Sequence, residues 1–118
     1  MTRVLIIEKD KQVRESLCRH LGHEGYLVSE AGKGSEGIRL HRKKSFDLII
    51  TGLFLPYTEG LETILKFSRE SDSKIIAISS GIGSLTMARR MGAHRSFSIP
   101  FDVREVADAA AELLGEKQ

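Results

Sequence analysis

The chain has 118 residues, 41% of them apolar and 29% charged, with a formal net charge of +2. That length predicts one domain, spanning residues 1–118, around a single core with no room for a second. The composition excludes the disordered and membrane classes, and so small a charge gives no reason to expect direct nucleic-acid binding.

In chain order, short apolar runs alternate with helical patterns. Val4-Leu5-Ile6-Ile7 is a β-branched-rich run without polar alternation, which predicts a strand buried on both faces of a parallel sheet. Asp10 is placed to cap a helix with Val13, Leu17 and Leu21 on one face, closed by Gly25. Cys18 falls inside that helix; as the sole cysteine it permits no disulfide framework or thiolate metal site within one chain, and it reads as a small apolar packing residue. Tyr26-Leu27-Val28 is a weaker strand, expected near an edge. Gly34 to Lys44 carries Ile38 and Leu40 and ends in Arg42, Lys43 and Lys44, cations suited to a helix C-terminus. Leu48-Ile49-Ile50 repeats the buried-strand pattern. A third helix, from about Gly60 to Arg69, presents Leu61, Ile64, Leu65 and Ser68. Ile75-Ile76-Ala77-Ile78 is the fourth strand, and a short helix from about Ser84 to Met91 stops at Gly92. Ser96-Phe97-Ser98-Ile99 is a second weak strand. The last helix has Asp102 as its cap and Val106, Ala109, Ala110, Leu113 and Leu114 in one stripe.

Five strands alternating with five helices predict an open parallel α/β sheet, whose functional crevice lies beyond the carboxyl ends of the strands. The residues found there are Glu8, Lys9, Asp10, Gly52, Ser79, Ser80, Ile99 and Pro100. No apolar run approaches a membrane span and the N-terminus has no signal-peptide pattern, so a cytoplasmic location is expected with no membrane partner.

The stretch Asp47 to Gly60 reads D-L-I-I-T-G-L-F-L-P-Y-T-E-G. It resembles the strand and loop that carry the phosphoacceptor aspartate in response-regulator receiver domains, where an apolar strand is followed by Asp and then x-x-Met-Pro-x-x-x-Gly. The resemblance runs from the first strand to the Ile99-Pro100-Phe101 turn. It implies a flavodoxin-like (CheY-like) doubly wound five-stranded parallel sheet, (βα)5, with strand order 2-1-3-4-5. It also implies a signalling role in a two-component or phosphorelay pathway.

The same resemblance assigns the site positions. Receivers carry an acidic pair after strand one; here it is Glu8 and Lys9, the second standing where a direct metal ligand is usual. Gly52 stands at the phosphoacceptor position. Ser79 matches the conserved Ser/Thr hydroxyl, and Ile99 replaces the lysine of Lys-Pro-Phe. Ser96 falls at the aromatic switch position. Phosphorylating an aspartate needs a nucleophilic carboxylate, a carboxylate-bound divalent metal, a hydroxyl and a cation. Three charged positions are changed in kind, so the expectation is a pseudo-receiver, not an enzyme, with no cofactor and with Mg2+ binding lost. Lys9 has two readings. Either its ammonium enters the space of the ion beside Glu8 and Asp10, or it is a solvated loop lysine. Asp10 is expected to act as a helix cap, with residual acidic ligand as the alternative.

Signalling would then run through protein contacts. Family behaviour places the partner surface on the fourth helix, fifth strand and fifth helix, near Arg89, Arg90, His94, Arg95 and Arg104, with a histidine kinase, an output protein or a second copy as partner. The chain is also readable as the receiver portion of a longer regulator. A rival reading takes Ser79-Ser80-Gly81-Ile82-Gly83-Ser84 as an anion cradle for a nucleotide or other small ligand, although the spacing fails the dinucleotide fingerprint. The four histidines, His20, His23, His41 and His94, are expected to be solvated. His20 and His23 share a helix end at i, i+3 spacing, but two ligands alone make a poor metal site.

Overall fold

The computed structural model describes residues 1–54 and 57–116, so Leu55 and Pro56 of the Asp47–Gly60 stretch lie outside the described residues. The order is β1 (Arg3–Ile7), α1 (Lys11–His23), β2 (Leu27–Ala31), α2 (Gly34–Lys43), β3 (Leu48–Gly52), α3 (Thr58–Glu70), β4 (Lys74–Ser79), α4 (Ile82–Met91), β5 (Arg95–Ser98) and α5 (Val103–Leu113). All strand pairs are parallel, in the sheet order β2-β1-β3-β4-β5.

Successive strand side chains point to opposite faces, and both faces are covered. Val4, Ile6, Leu48, Ile50, Ile76 and Ile78 pack with Leu17 and Leu21 of α1 and Val106 and Ala110 of α5. Their neighbours Leu5, Ile7, Ile49, Ile75 and Ala77 pack instead with Ile64 and Phe67 of α3 and Leu85 and Ala88 of α4. Two hydrophobic cores on either side of one sheet are why β1, β3 and β4 read as unbroken apolar runs. The weak strands are the edges: β2 and β5 each mix exposed and half-buried residues.

Asp10 caps α1 as its sequence position predicts, its Oδ1 accepting from the backbone N–H groups of Gln12 at 2.9 Å and Val13 at 3.2 Å. Asp102 caps α5 likewise, accepting from Arg104 N–H at 2.9 Å. Gly92 ends α4 at φ 129°, a conformation that favours glycine.

Several boundaries shift from expectation: β5 runs Arg95–Ser98 and leaves Ile99 just past its end, and α2 stops at Lys43. β2 begins at Leu27 and runs on through Ser29 and Glu30, because one face of an edge strand tolerates polar residues. Tyr26 lies outside it, buried, with its hydroxyl donating to Glu116 Oε2 at 2.7 Å. α3 starts at Thr58 and α4 at Ile82, each two residues earlier than apolar periodicity suggests. Cys18 is half-buried against the α1–α5 core, where burial, with Glu30 nearby, pushes its thiol up to about 11. No described helix is long and apolar enough to cross a membrane.

Candidate functional site

The order β2-β1-β3 places the topological switch between β1 and β3, and the register pairs Ile7 with Thr51, Gly52 with Ile78 and Ser79 with Ser98. Glu8, Gly52, Ser79 and Ile99 are therefore brought to one edge of the sheet. Backbone bonds fix that edge. Glu8 N–H donates to Ala31 O at 3.0 Å, Leu53 N–H to Ile78 O at 2.9 Å and Ile99 N–H to Ser79 O at 2.9 Å.

Glu8 is 3% exposed. Its Oε2 accepts from Asp10 N–H at 2.8 Å, while its Oε1 is buried without a hydrogen-bond partner. Oε1 points at Gly52: a Cβ added there would overlap it, and would also stand 2.8 Å from Phe54 Cε1 and 3.2 Å from Glu8 Cδ. Burial holds the carboxyl above its ordinary value. The Asp10 N–H bond and the Arg14 guanidinium oppose that rise, and the Asp10 charge adds to it. Arg14, a residue that periodicity did not single out, braces the loop by donating from Nη1 to Glu8 O and from Nε to Glu30 Oε1, both at 2.8 Å.

Lys9 does not enter the crevice beside Glu8. Its Nζ lies 5.4 Å from the centroid of the Phe54 ring, and the residue is exposed. A cation over an aromatic face keeps most of its hydration, whereas burial beside Glu8 would strip it. Phe54 thus stands against Gly52, with the Lys9 ammonium near its ring. Phe54 was not visible as a site residue in the sequence, where it is one apolar residue in a loop.

Ser79 is fully buried. Its Oγ accepts from Gly81 N–H at 3.0 Å and lies 2.9 Å from Ser84 Oγ, which in turn donates to Gly81 O at 2.6 Å. Since Ser84 spends its single proton on that carbonyl, Ser79 is the donor between the two hydroxyls. The Ser79 hydroxyl is thus turned into the β4–α4 loop, and Gly81 N–H is already occupied within the segment read as an anion cradle. Tyr57, another residue without a sequence signal, lays its phenol against Gly81 and ties the β3 and β4 loops together.

Ile99 is half-buried against the α1–α5 core, and the Ile99–Pro100 peptide is cis. Ser96, opposite Ala77 on β5, is half-buried. Asp10 is committed to its cap through one oxygen, and among the described residues no group of three or more His, Cys, Asp or Glu is disposed to hold a metal. The donors around Glu8 and Gly52 do not fit a divalent ion, which wants near-octahedral oxygen.

The five residues assigned to the α4–β5–α5 face are unequal. Arg104 pairs with Asp102 at 3.0 Å, and Arg95 with Glu112 at 3.6 Å. His94 Nδ1 accepts from Ile75 N–H at 3.0 Å. Arg89 and Arg90 are exposed on α4 and form no ion pair among the described residues. No Asp or Glu occurs from Lys74 through Phe101, whereas α5 exposes Glu105, Asp108 and Glu112. Ile82 is 78% exposed and Met87 41% on the same helix as the two arginines.

One histidine, His41, departs from the solvated expectation, whereas His94 is exposed. His41 packs between Phe46 and Phe67, with ring centroids 6.0 Å and 5.3 Å away, and accepts from Phe46 N–H at 3.3 Å. His94 is spent on its β4 contact. His20 pairs with Glu24 at 3.5 Å across one helical turn.

A doubly wound five-stranded α/β domain with its polar residues gathered at the carboxyl edge is a flavodoxin-like fold of the CheY type. Residues 4–111 match the response regulator receiver domain, and the chain belongs to that family of two-component signalling domains. It is 29% identical over 116 residues to sporulation initiation phosphotransferase F of Bacillus subtilis, covering 95% of this chain and 93% of that protein. It is 31% identical over 108 residues to the response regulator ArlR of Staphylococcus aureus, covering 90% of this chain and 49% of that protein. The chain spans between 25% and 49% of the length of several curated relatives it matches, ArlR among them. A receiver domain protein of Methanospirillum hungatei superposes with a TM-score of 0.88 over 98% of this chain and 94% of that one, at 24% identity, a likeness of fold. Receiver domains interact with histidine kinases and output domains.

Proposed function

We propose that this receiver domain signals without an acyl phosphate and acts through protein contacts, as a pseudo-receiver. The observation that carries this reading is the residue at the end of β3. Gly52 offers no nucleophile, and the space its side chain would fill holds Glu8. Lys9 and Ile99 support it, since neither supplies what phosphoryl transfer needs at those positions, a metal-binding carboxylate and a cation. Thr51 is buried, and Ser79 is committed to Gly81 and Ser84, so neither hydroxyl has a base to activate it. On this reading the domain binds no Mg2+ and works in the cytoplasm.

The contact surface is α4–β5–α5. Arg89, Arg90, Ile82 and Met87 combine cations free of ion pairs among the described residues with exposed apolar area, a combination that suits a partner with an acidic, partly apolar face. The acidic α5 beside it gives a second copy a complementary surface as well. A histidine kinase or an output protein meets the same requirements.

The test is incubation with acetyl phosphate and Mg2+, followed by intact-mass measurement. An unchanged mass is expected. A stoichiometric phosphoryl adduct, on any residue, overturns the reading.

A further inference from the structure

We propose that Glu8 is an internal plug: its carboxyl fills the crevice from beneath, interlocked with Gly52 and roofed by Phe54 and Lys9. This rests on the phosphate-independent reading and adds a steric contact that keeps the site closed, whatever nucleophile is supplied.

Three observations meet at one point. Glu8 is 3% exposed, so its carboxyl is an inward side chain, not a loop group reaching for solvent. Its Oε2 is anchored to Asp10 N–H, which fixes Oε1 over the Cα of Gly52. Oε1 has no partner there, an arrangement that costs free energy and persists because the surrounding packing imposes it. A Cβ at 52 would make the carboxyl tip of Glu8 and the ring edge of Phe54 shift, and the burial of Glu8 with its anchor on Asp10 N–H is what makes that shift costly. Phe54 closes the opposite side of the same point, and the Lys9 ammonium lies over its ring.

The consequence is that the Glu8 carboxyl occupies the space beside Gly52 that an oxyanion would need. The Phe54 ring beside it is half-buried. Replacing Gly52 alone therefore strains the domain before it equips it, and the strain is relieved by shortening residue 8.

The experiment is a double-mutant cycle read by thermal unfolding. Gly52→Ala in the wild-type background should lower the Tm by at least about 4 °C. In a Glu8→Ala background the same change should be neutral or raise the Tm. In a Glu8→Gln background, which keeps the volume and removes the charge, the loss should persist. A Gly52→Ala chain that fails to fold, yet folds once Glu8→Ala is added, supports the plug equally. Equal losses in all backgrounds, unfolding in all, or no loss in the wild type would overturn the plug.

A second measurement uses the hole left by Glu8→Ala, which exposes Asp10 N–H to a carboxylate-sized vacancy. Sodium formate should raise the Tm of that variant above a sodium chloride control of equal ionic strength, and should leave wild type unmoved. Formate acting equally on both proteins would show that the vacancy is not carboxylate-shaped and would overturn the proposal. Neither readout involves phosphoryl transfer, so the plug can fail while the phosphate-independent reading stands, and the reverse.

Discussion

Ser79 and Ser84 share one proton chain: Ser79 Oγ donates across 2.9 Å to Ser84 Oγ, which donates to Gly81 O. The chain shapes the first turn of α4 from inside, and Ser79 also receives Gly81 N–H. Ser79→Ala leaves Gly81 N–H unpaired beside a buried site and should cost about 1–3 kcal/mol in chemical denaturation. A cost below about 0.5 kcal/mol would mean that water replaces the hydroxyl, leaving Ser79 free for another role.

The carboxyl of Glu8 holds its proton above the ordinary carboxylate range because burial disfavours the charge. A raised folded pKa gives stability that is complete below the unfolded value, near 4.5, and is lost as pH rises through the folded value. Glu8→Gln should therefore remove a pH-dependent loss. The variant should be more stable than wild type at pH 8 and close to it at pH 4. Parallel stability curves for the two proteins across that range would contradict the assignment.

His41 and His94 titrate in the opposite sense. Burial holds both below 6.5, with Lys74 adding to the effect at His94, and each accepts a backbone N–H through Nδ1. A depressed folded pKa gives stability that is present above about pH 6.5 and lost as pH falls through the folded values. Acid should thus weaken the α2–β3 and α4–β5 connections first, seen as faster amide exchange at Phe46 and Ile75. Substituting both histidines by Gln should flatten this dependence.

Mg2+ at millimolar concentration should leave the backbone amides of residues 8–10 and 52 unmoved in NMR spectra. Saturable shifts confined to those residues would mean that Asp10 has exchanged its cap for a ligand role.

Restoring phosphoryl chemistry should take more than one substitution. Gly52→Asp alone meets Glu8 and should not bind beryllofluoride with Mg2+. Adding Lys9→Asp supplies metal-binding carboxylate and Ile99→Lys supplies the cation, and beryllofluoride binding should appear in the triple variant once Glu8 is also shortened to Asp, which opens the crevice. If Gly52→Asp alone binds as well as the triple, Lys9 and Ile99 are incidental.

The fold was readable because its signals are local. The unbroken runs at Val4–Ile7 and Leu48–Ile50 report strands buried on both faces, and Asp10, Asp102 and Gly92 mark helix ends by their own chemistry. The site was readable only as positions. Glu8, Gly52, Ser79 and Ile99 fall at strand ends, which the sequence order of elements determines. Where their side chains go depends on residues distant in sequence. The two readings of Lys9 stayed open because nothing local reveals the ring of Phe54, and Ser79 faces Ser84 because of the loop's own turn. His41 looked solvated within a basic run, since its two aromatic neighbours arrive from the loop before β3 and from α3.

The two helices flanking β5 belong to different cores: α4 packs on the side of Leu85 and Ala88, α5 on the side of Val106 and Ala110. They meet only around the edge of a sheet whose outermost strand has four residues. Anything that grips both helices at once acts as a staple across that edge, coupling two packed layers that otherwise share only the sheet. Such a grip would be felt as slower opening of β5 and of the helices on both sides, a mechanical signal needing no rearrangement of the crevice.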